Sequence, residues 1–139
     1  MNTTWQKPTF RPIDMNAEVR AHRAGALAPD APPPQLDAAA PAALVTLVDI
    51  PLVRTTTVTA LLRAWEQERA VFVRPLYEGR HGHPVIFGRP LLDALVQGDP
   101  AEGARPVVRS FAREAIDVPV DDPGVLIDLD TPEEYARYT

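Results

Sequence analysis

The sequence contains no cysteine, and none of its seven glycines is adjacent to another. Without thiols there can be no disulfide, thiol nucleophile or zinc–thiolate site, and the composition fits a reducing cytoplasm as the expected location. The glycine pattern bears on nucleotides, because a cradle of consecutive backbone amides for phosphates is usually built on closely spaced glycines. Before residue 42 the only glycine is Gly25. Long apolar runs are missing too: the most apolar stretch, residues 38–53, is broken by Pro41, Asp49 and Pro51, well short of the ~20 residues that span a bilayer. Residues 1–23 carry Lys7, Arg11, Asp14, Glu18 and Arg20 and have no apolar core, so they do not read as a secretory signal. Basic clusters are also lacking. Fourteen Lys and Arg against nineteen Asp and Glu leave a net charge of -5, which argues against general affinity for nucleic acid or anionic membranes.

What is present suits a single core: 139 residues, 45% hydrophobic and 24% charged. Prolines divide the chain. Residues 1–41 read as an irregular segment with a short helix over 17–27, led by Asn16, and a stiff proline- and alanine-rich loop over 28–40. Residues 42–139 read as α/β. Leu44 to Val48 form a continuous aliphatic run, as in a strand buried on both faces, and Thr55, Thr56 or Thr57 can cap a helix whose apolar positions are Val58, Leu61, Leu62 and Trp65. Strands are expected at 70–73, closed by Pro75, and at 84–87, with a helix over 89–96 and another beginning near Gly103. An edge strand over 116–120 and a short strand at 125–127 follow, and Thr131-Pro132-Glu133-Glu134 has the pattern of a capping box.

Asp49 is the leading chemical candidate, since a carboxylate at the C-terminal end of a strand in an open α/β sheet can hold Mg²⁺ against phosphate oxygens. An aspartate before Pro51 can equally cap a loop. Asp128 and Asp130 alternate out of the expected last strand, so either can be a second metal ligand; both also favour the positive end of the helix that follows. His81 and His83 flank Gly82 in a turn, where a histidine can touch an anionic substrate or simply face solvent. Arg105 starts a helix, where it can meet a phosphate or point into water.

Four segments, taken in order, carry a family resemblance: Leu47-Val48-Asp49-Ile50-Pro51-Leu52-Val53, Gly79-Arg80-His81-Gly82-His83-Pro84-Val85-Ile86-Phe87, Gly103-Ala104-Arg105 and Asp128-Leu129-Asp130-Thr131-Pro132-Glu133-Glu134-Tyr135. Together they resemble the C-terminal portion of the MobA-like NTP transferases, with the molybdenum-cofactor cytidylyltransferase branch nearest. The resemblance implies a partial Rossmann-like three-layer nucleotidyltransferase fold lacking the N-terminal nucleotide-binding strand and loop. It implies transfer of CMP or GMP from CTP or GTP to a molybdopterin-type cofactor, with Mg²⁺ held by Asp49 and Asp128 and with His83 and Arg105 on the substrate side. The family's glycine-rich loop has no counterpart in these 139 residues. A second expectation therefore stands beside the first: a truncated, non-catalytic module that keeps the substrate-side half and associates with itself, with a missing N-terminal half or with another partner.

Overall fold

The computed structural model describes residues 39–138, and the expectations for 1–38 lie outside them. The sheet belongs to a compact unit, Leu36–Thr139. Its strands are β1 (Ala42–Val45), β2 (Phe72–Tyr77), β3 (Arg80–His81), β4 (Val85–Gly88) and β5 (Ala115–Pro119). Its helices are α1 (Thr55–Glu68), α2 (Arg89–Gln97), α3 (Arg105–Ser110) and α4 (Pro132–Ala136), with 3-10 turns at Ala112–Glu114 and Pro123–Leu126.

β2 is the spine. It pairs in parallel with β5 on one side and antiparallel with β3 and β4 on the other, and β4 in turn pairs antiparallel with β1. The ends of β1, β2 and β5 therefore share one edge of the sheet with the start of β4. β3 and β4 are one returning arm, interrupted. Leu76 faces His81 while Val73 faces Ile86, so the arm spends two more residues than β2 between those pairs. The surplus is the bulge at Gly82, His83 and Pro84, with the His83–Pro84 peptide cis. The hairpin itself turns through Glu78 and Gly79, both at positive φ (47° and 76°), the geometry of a tight two-residue connection.

Alternation along the strands builds two cores. On one face Phe72, Val85 and Phe87 pack with Leu91 and Leu92 of α2, and Val108 of α3 and Phe111 join them. Phe72 and Phe87, cross-strand partners, meet edge to face at 5.4 Å. On the other face Val73 and Ile86 pack under Leu61 of α1, with Trp65, Ile116 and Val118 around them. Helices on both faces of a mixed sheet give the three-layer α/β architecture expected from the sequence. Leu61 and Leu91 are fully buried, and each such side chain contributes about 1.5–3 kcal/mol relative to exposure.

Several local expectations change. β1 ends at Val45 and is half-buried, with Leu44 39% exposed, because it pairs only with β4 among the described residues and is not sandwiched between strands. Pro75 sits inside β2 opposite Val118 and does not close the strand; a proline lacks a donor, yet its carbonyl is available and accepts from Gly82 N–H at 3.3 Å. The expected strand at 125–127 is a 3-10 turn led by Asp122. The capping box at Thr131 and Glu134 forms as expected.

Candidate functional site

Three segments meet at the edge where β1, β2 and β5 end: the loop 46–54 after β1, the bulge before β4, and residues 122–130. Each is held by backbone. Ile50 N–H donates to Leu47 O at 3.3 Å, closing a turn that carries Asp49. Leu129 N–H donates to Asp49 O at 2.8 Å, and His83 N–H donates to Val125 O at 3.0 Å. Residues 125–129 thus join the Asp49 loop to the His83 bulge.

Side chains from all three segments converge. Burial pushes the His83 imidazole below its usual 6.5, while Asp128 and, more weakly, Asp49 pull it back up. The three expected site residues therefore form one electrostatic cluster, and Asp128 rather than Asp130 is the carboxylate acting on His83. Oδ1 of Asp49 is buried and accepts no hydrogen bond. A buried carboxylate oxygen left without a donor is costly and suits a cation. Among the described residues no group of three or more His, Cys, Asp or Glu is placed to hold a metal; a Mg²⁺ ion needs fewer protein ligands than that, since it commonly takes one or two carboxylates and fills its shell with water and phosphate oxygens.

Arg105 does not join this cluster by any hydrogen bond or ion pair among the described residues. With Pro106, Arg109 and Ser110 it lines a surface depression of about 360 Å³ on α3. His81 also goes elsewhere: its Nε2 lies 3.0 Å from Asp117 Oδ2, whose Oδ1 accepts from Arg74 Nε at 2.6 Å. This network ties the hairpin to β5, and the Arg74 hydrogen bond above all holds Asp117 below the usual carboxylate range.

The sequence reading missed Asp122. No side chain of α1 caps its start; instead the buried Asp122 carboxylate reaches it from 68 residues away, accepting from Arg54 N–H at 2.9 Å and from Thr57 Oγ1 at 2.6 Å. It also accepts from Gly124 N–H at 3.0 Å. A signal was present in Asp121-Asp122-Pro123-Gly124, an Asx-Pro-Gly turn pattern, but that pattern announces a local turn and not a cap for a distant helix. Burial alone would raise the Asp122 carboxyl, and the bonds from Thr57, Arg54 and Gly124 outweigh it and hold it below its usual 3.8. A carboxylate depressed in the folded state contributes stability above its unfolded value, and that stability is lost as pH falls through the folded value. Asp122→Ala is accordingly expected to cost about 2 kcal/mol at pH 7, with the gap from wild type closing below about pH 3.8. Thermal unfolding of both proteins between pH 7 and 3 measures it; a gap independent of pH contradicts the assignment.

The MobA-like NTP transferase domain matches residues 25–116, ending before Asp128. In structure the chain is similar to the crystal structure of a homologue of Mycobacterium tuberculosis rv0371c from Mycobacterium sp. strain JC1, with a TM-score of 0.58 and 23% identity. That likeness covers 74% of this chain and 50% of the other, so this chain spans half the length of the structure it resembles. No curated protein matches the chain.

Proposed function

The chain belongs to the MobA-like NTP transferase domain family, and from that premise we propose that it forms the metal-holding and acceptor side of a nucleotidyl-transfer site. The observation that carries the reading is the convergence of Asp49, Asp128 and His83 at the C-terminal edge of the sheet, with one Asp49 oxygen buried and without a donor. Asp49 and Asp128 are the residues that would hold Mg²⁺, which supplies charge neutralisation at phosphate oxygens. His83, kept neutral by burial, offers one ring nitrogen as an acceptor for an attacking phosphate or hydroxyl. Following the family, the transferred group is CMP or GMP from CTP or GTP and the acceptor a molybdopterin-type cofactor, with Arg105 on the substrate side and a cytoplasmic location.

A second reading, a non-catalytic module that associates with itself, with a missing N-terminal half or with another partner, is favoured by one observation: no two glycines of the 139 residues are adjacent, so the chain itself offers no glycine-rich amide cradle for a triphosphate. Preorganised donors of that kind are worth roughly 3 kcal/mol each in a transition state. The 139-residue chain alone is therefore expected to bind CTP and GTP no better than millimolar and to release no pyrophosphate with a molybdopterin cofactor. Titration calorimetry with both nucleotides, with and without Mg²⁺, tests both readings. Nucleotide binding that needs Mg²⁺ and weakens in Asp49→Asn supports the transfer site. Binding indifferent to Mg²⁺ and to Asp49 removes it in favour of the module, whereas micromolar binding or turnover by the chain alone removes the module.

A further inference from the structure

Asp49 and Asp128 are far apart in sequence and sit on segments that are not strands, so something must hold those segments in register. The backbone bond from Leu129 N–H to Asp49 O, 2.8 Å, records that register but joins two loops that can part from each other. Between them lies Asp122, 2% exposed, with three donors on its two carboxylate oxygens. Two of those donors, Arg54 N–H at the end of the loop that carries Asp49 and Thr57 Oγ1–H in the first turn of α1, anchor that loop to the helix. The third, Gly124 N–H, begins the 3-10 turn that leads to Asp128. Arg54 adds a bond from Nη1 to Asp121 O at 2.8 Å.

The geometry points to Asp122 as the positioning residue of this site: it clamps the end of the Asp49 loop to the start of the Asp128 segment and thereby sets the spacing of the two carboxylates. The inference rests on the metal-site reading for its purpose, but the clamp itself is measurable without metal. Asp122 touches no reacting group; it acts through the two segments it joins. Removing an outer partner that orients a metal ligand typically costs about 10–100-fold in affinity, so an effect near the lower end is expected for a residue acting through backbone. Asparagine is an incomplete substitute, because its single carbonyl oxygen cannot face both Arg54 N–H and Gly124 N–H.

The test uses the full 139-residue chain as wild type, Asp122→Ala and Asp122→Asn, with Val73→Ala as a control that loosens the core under α1 without touching either segment. Two quantities are read well below every unfolding temperature: amide hydrogen exchange at Leu129, and Mn²⁺ affinity by electron paramagnetic resonance. Expected are a roughly 10-fold loss of Leu129 protection and a roughly 10-fold loss of Mn²⁺ affinity in Asp122→Ala, smaller losses in Asp122→Asn, and neither loss in Val73→Ala. Leu129 protection falling no further in the Asp122 variants than in Val73→Ala overturns the clamp. If Leu129 protection falls as expected but wild type binds no Mn²⁺, the clamp stands and the metal reading fails. If wild type binds Mn²⁺ and Asp122→Ala binds it equally well, the metal reading stands and the positioning role is overturned.

Discussion

Asp49→Asn is expected to lower Mn²⁺ or Mg²⁺ affinity by roughly 100-fold, about 2.7 kcal/mol, while leaving the metal-free fold as stable as wild type or slightly more so. The two effects have opposite signs for one reason. Asp49 Oδ1 is buried with no donor, so in the absence of a cation that oxygen is desolvated without compensation, and a neutral amide relieves part of that cost. In the proposed site Asp49 and Asp128 are the two charged ligands, so removing one charge takes away half of the protein's share of the attraction. A third readout ties the effect to place: the Asp49 charge raises the His83 imidazole, so His83 should titrate lower still in Asp49→Asn, as followed by NMR of the ring protons. Because burial already holds His83 below 6.5 in the fold, wild type loses stability as pH drops through that value toward the folded one, and the variant should lose more. Unchanged metal affinity together with an unchanged His83 titration would remove Asp49 from the site.

Much of the α/β order was legible because the relevant signals are local. Val58, Leu61 and Trp65 repeat at helical spacing, Val85, Ile86 and Phe87 form an apolar run, and Thr131 and Glu134 stand at capping-box distance; each produced the expected element. Elements misread from sequence are those fixed by distant partners. Pro75 looked like a strand end because proline ends strands that need its donor, but in β2 its role falls on its carbonyl. Val125 and Leu126 looked like strand because apolar pairs do, yet Asp122 and Pro123 wind them into a 3-10 turn. The threonines at the start of α1 have the chemistry of a cap, but the cap comes from Asp122.

The candidate site divides along the same line. Asp49, Asp128 and His83 stand out singly, from strand ends and from a family resemblance, and in the fold both carboxylates act on the His83 imidazole. Their convergence depends on the two-residue surplus in the returning arm and on the Val125 carbonyl, neither of which has a signature in any one segment. Arg105 carries the same kind of signal, a helix start within a family resemblance, and stands on α3 beside Arg109, where its part in substrate binding rests on the family alone.

Gly82→Ala is expected to destabilise the fold by about 3 kcal/mol and to displace His83. At Gly82 the bulge passes so close to the 3-10 turn Pro123–Leu126 that a Cβ would overlap the Val125 carbonyl oxygen and stand 2.8 Å from its carbon and 2.9 Å from its Cβ. Overpacking a core typically costs about 1–3 kcal/mol, and here the obstacle is backbone, which cannot rotate aside. Val125 is fully buried and its carbonyl also accepts the His83 N–H at 3.0 Å, so pushing it away strands a donor at a cost of about 1 kcal/mol more. Gly79 supplies the contrast: its Cβ would meet nothing within 4 Å, and only its φ of 76° opposes a side chain, a strain of about 1–2 kcal/mol. Urea denaturation should show a larger drop in midpoint for Gly82→Ala than for Gly79→Ala with similar slopes. Only Gly82→Ala should move the His83 ring resonances, because only there does the substitution enter the contact between the bulge and the Val125 carbonyl that accepts the His83 N–H. A Gly82→Ala protein within 0.5 kcal/mol of wild type, roughly the spread of neutral surface changes, would mean that the bulge and the 3-10 turn are not in the contact that builds the site.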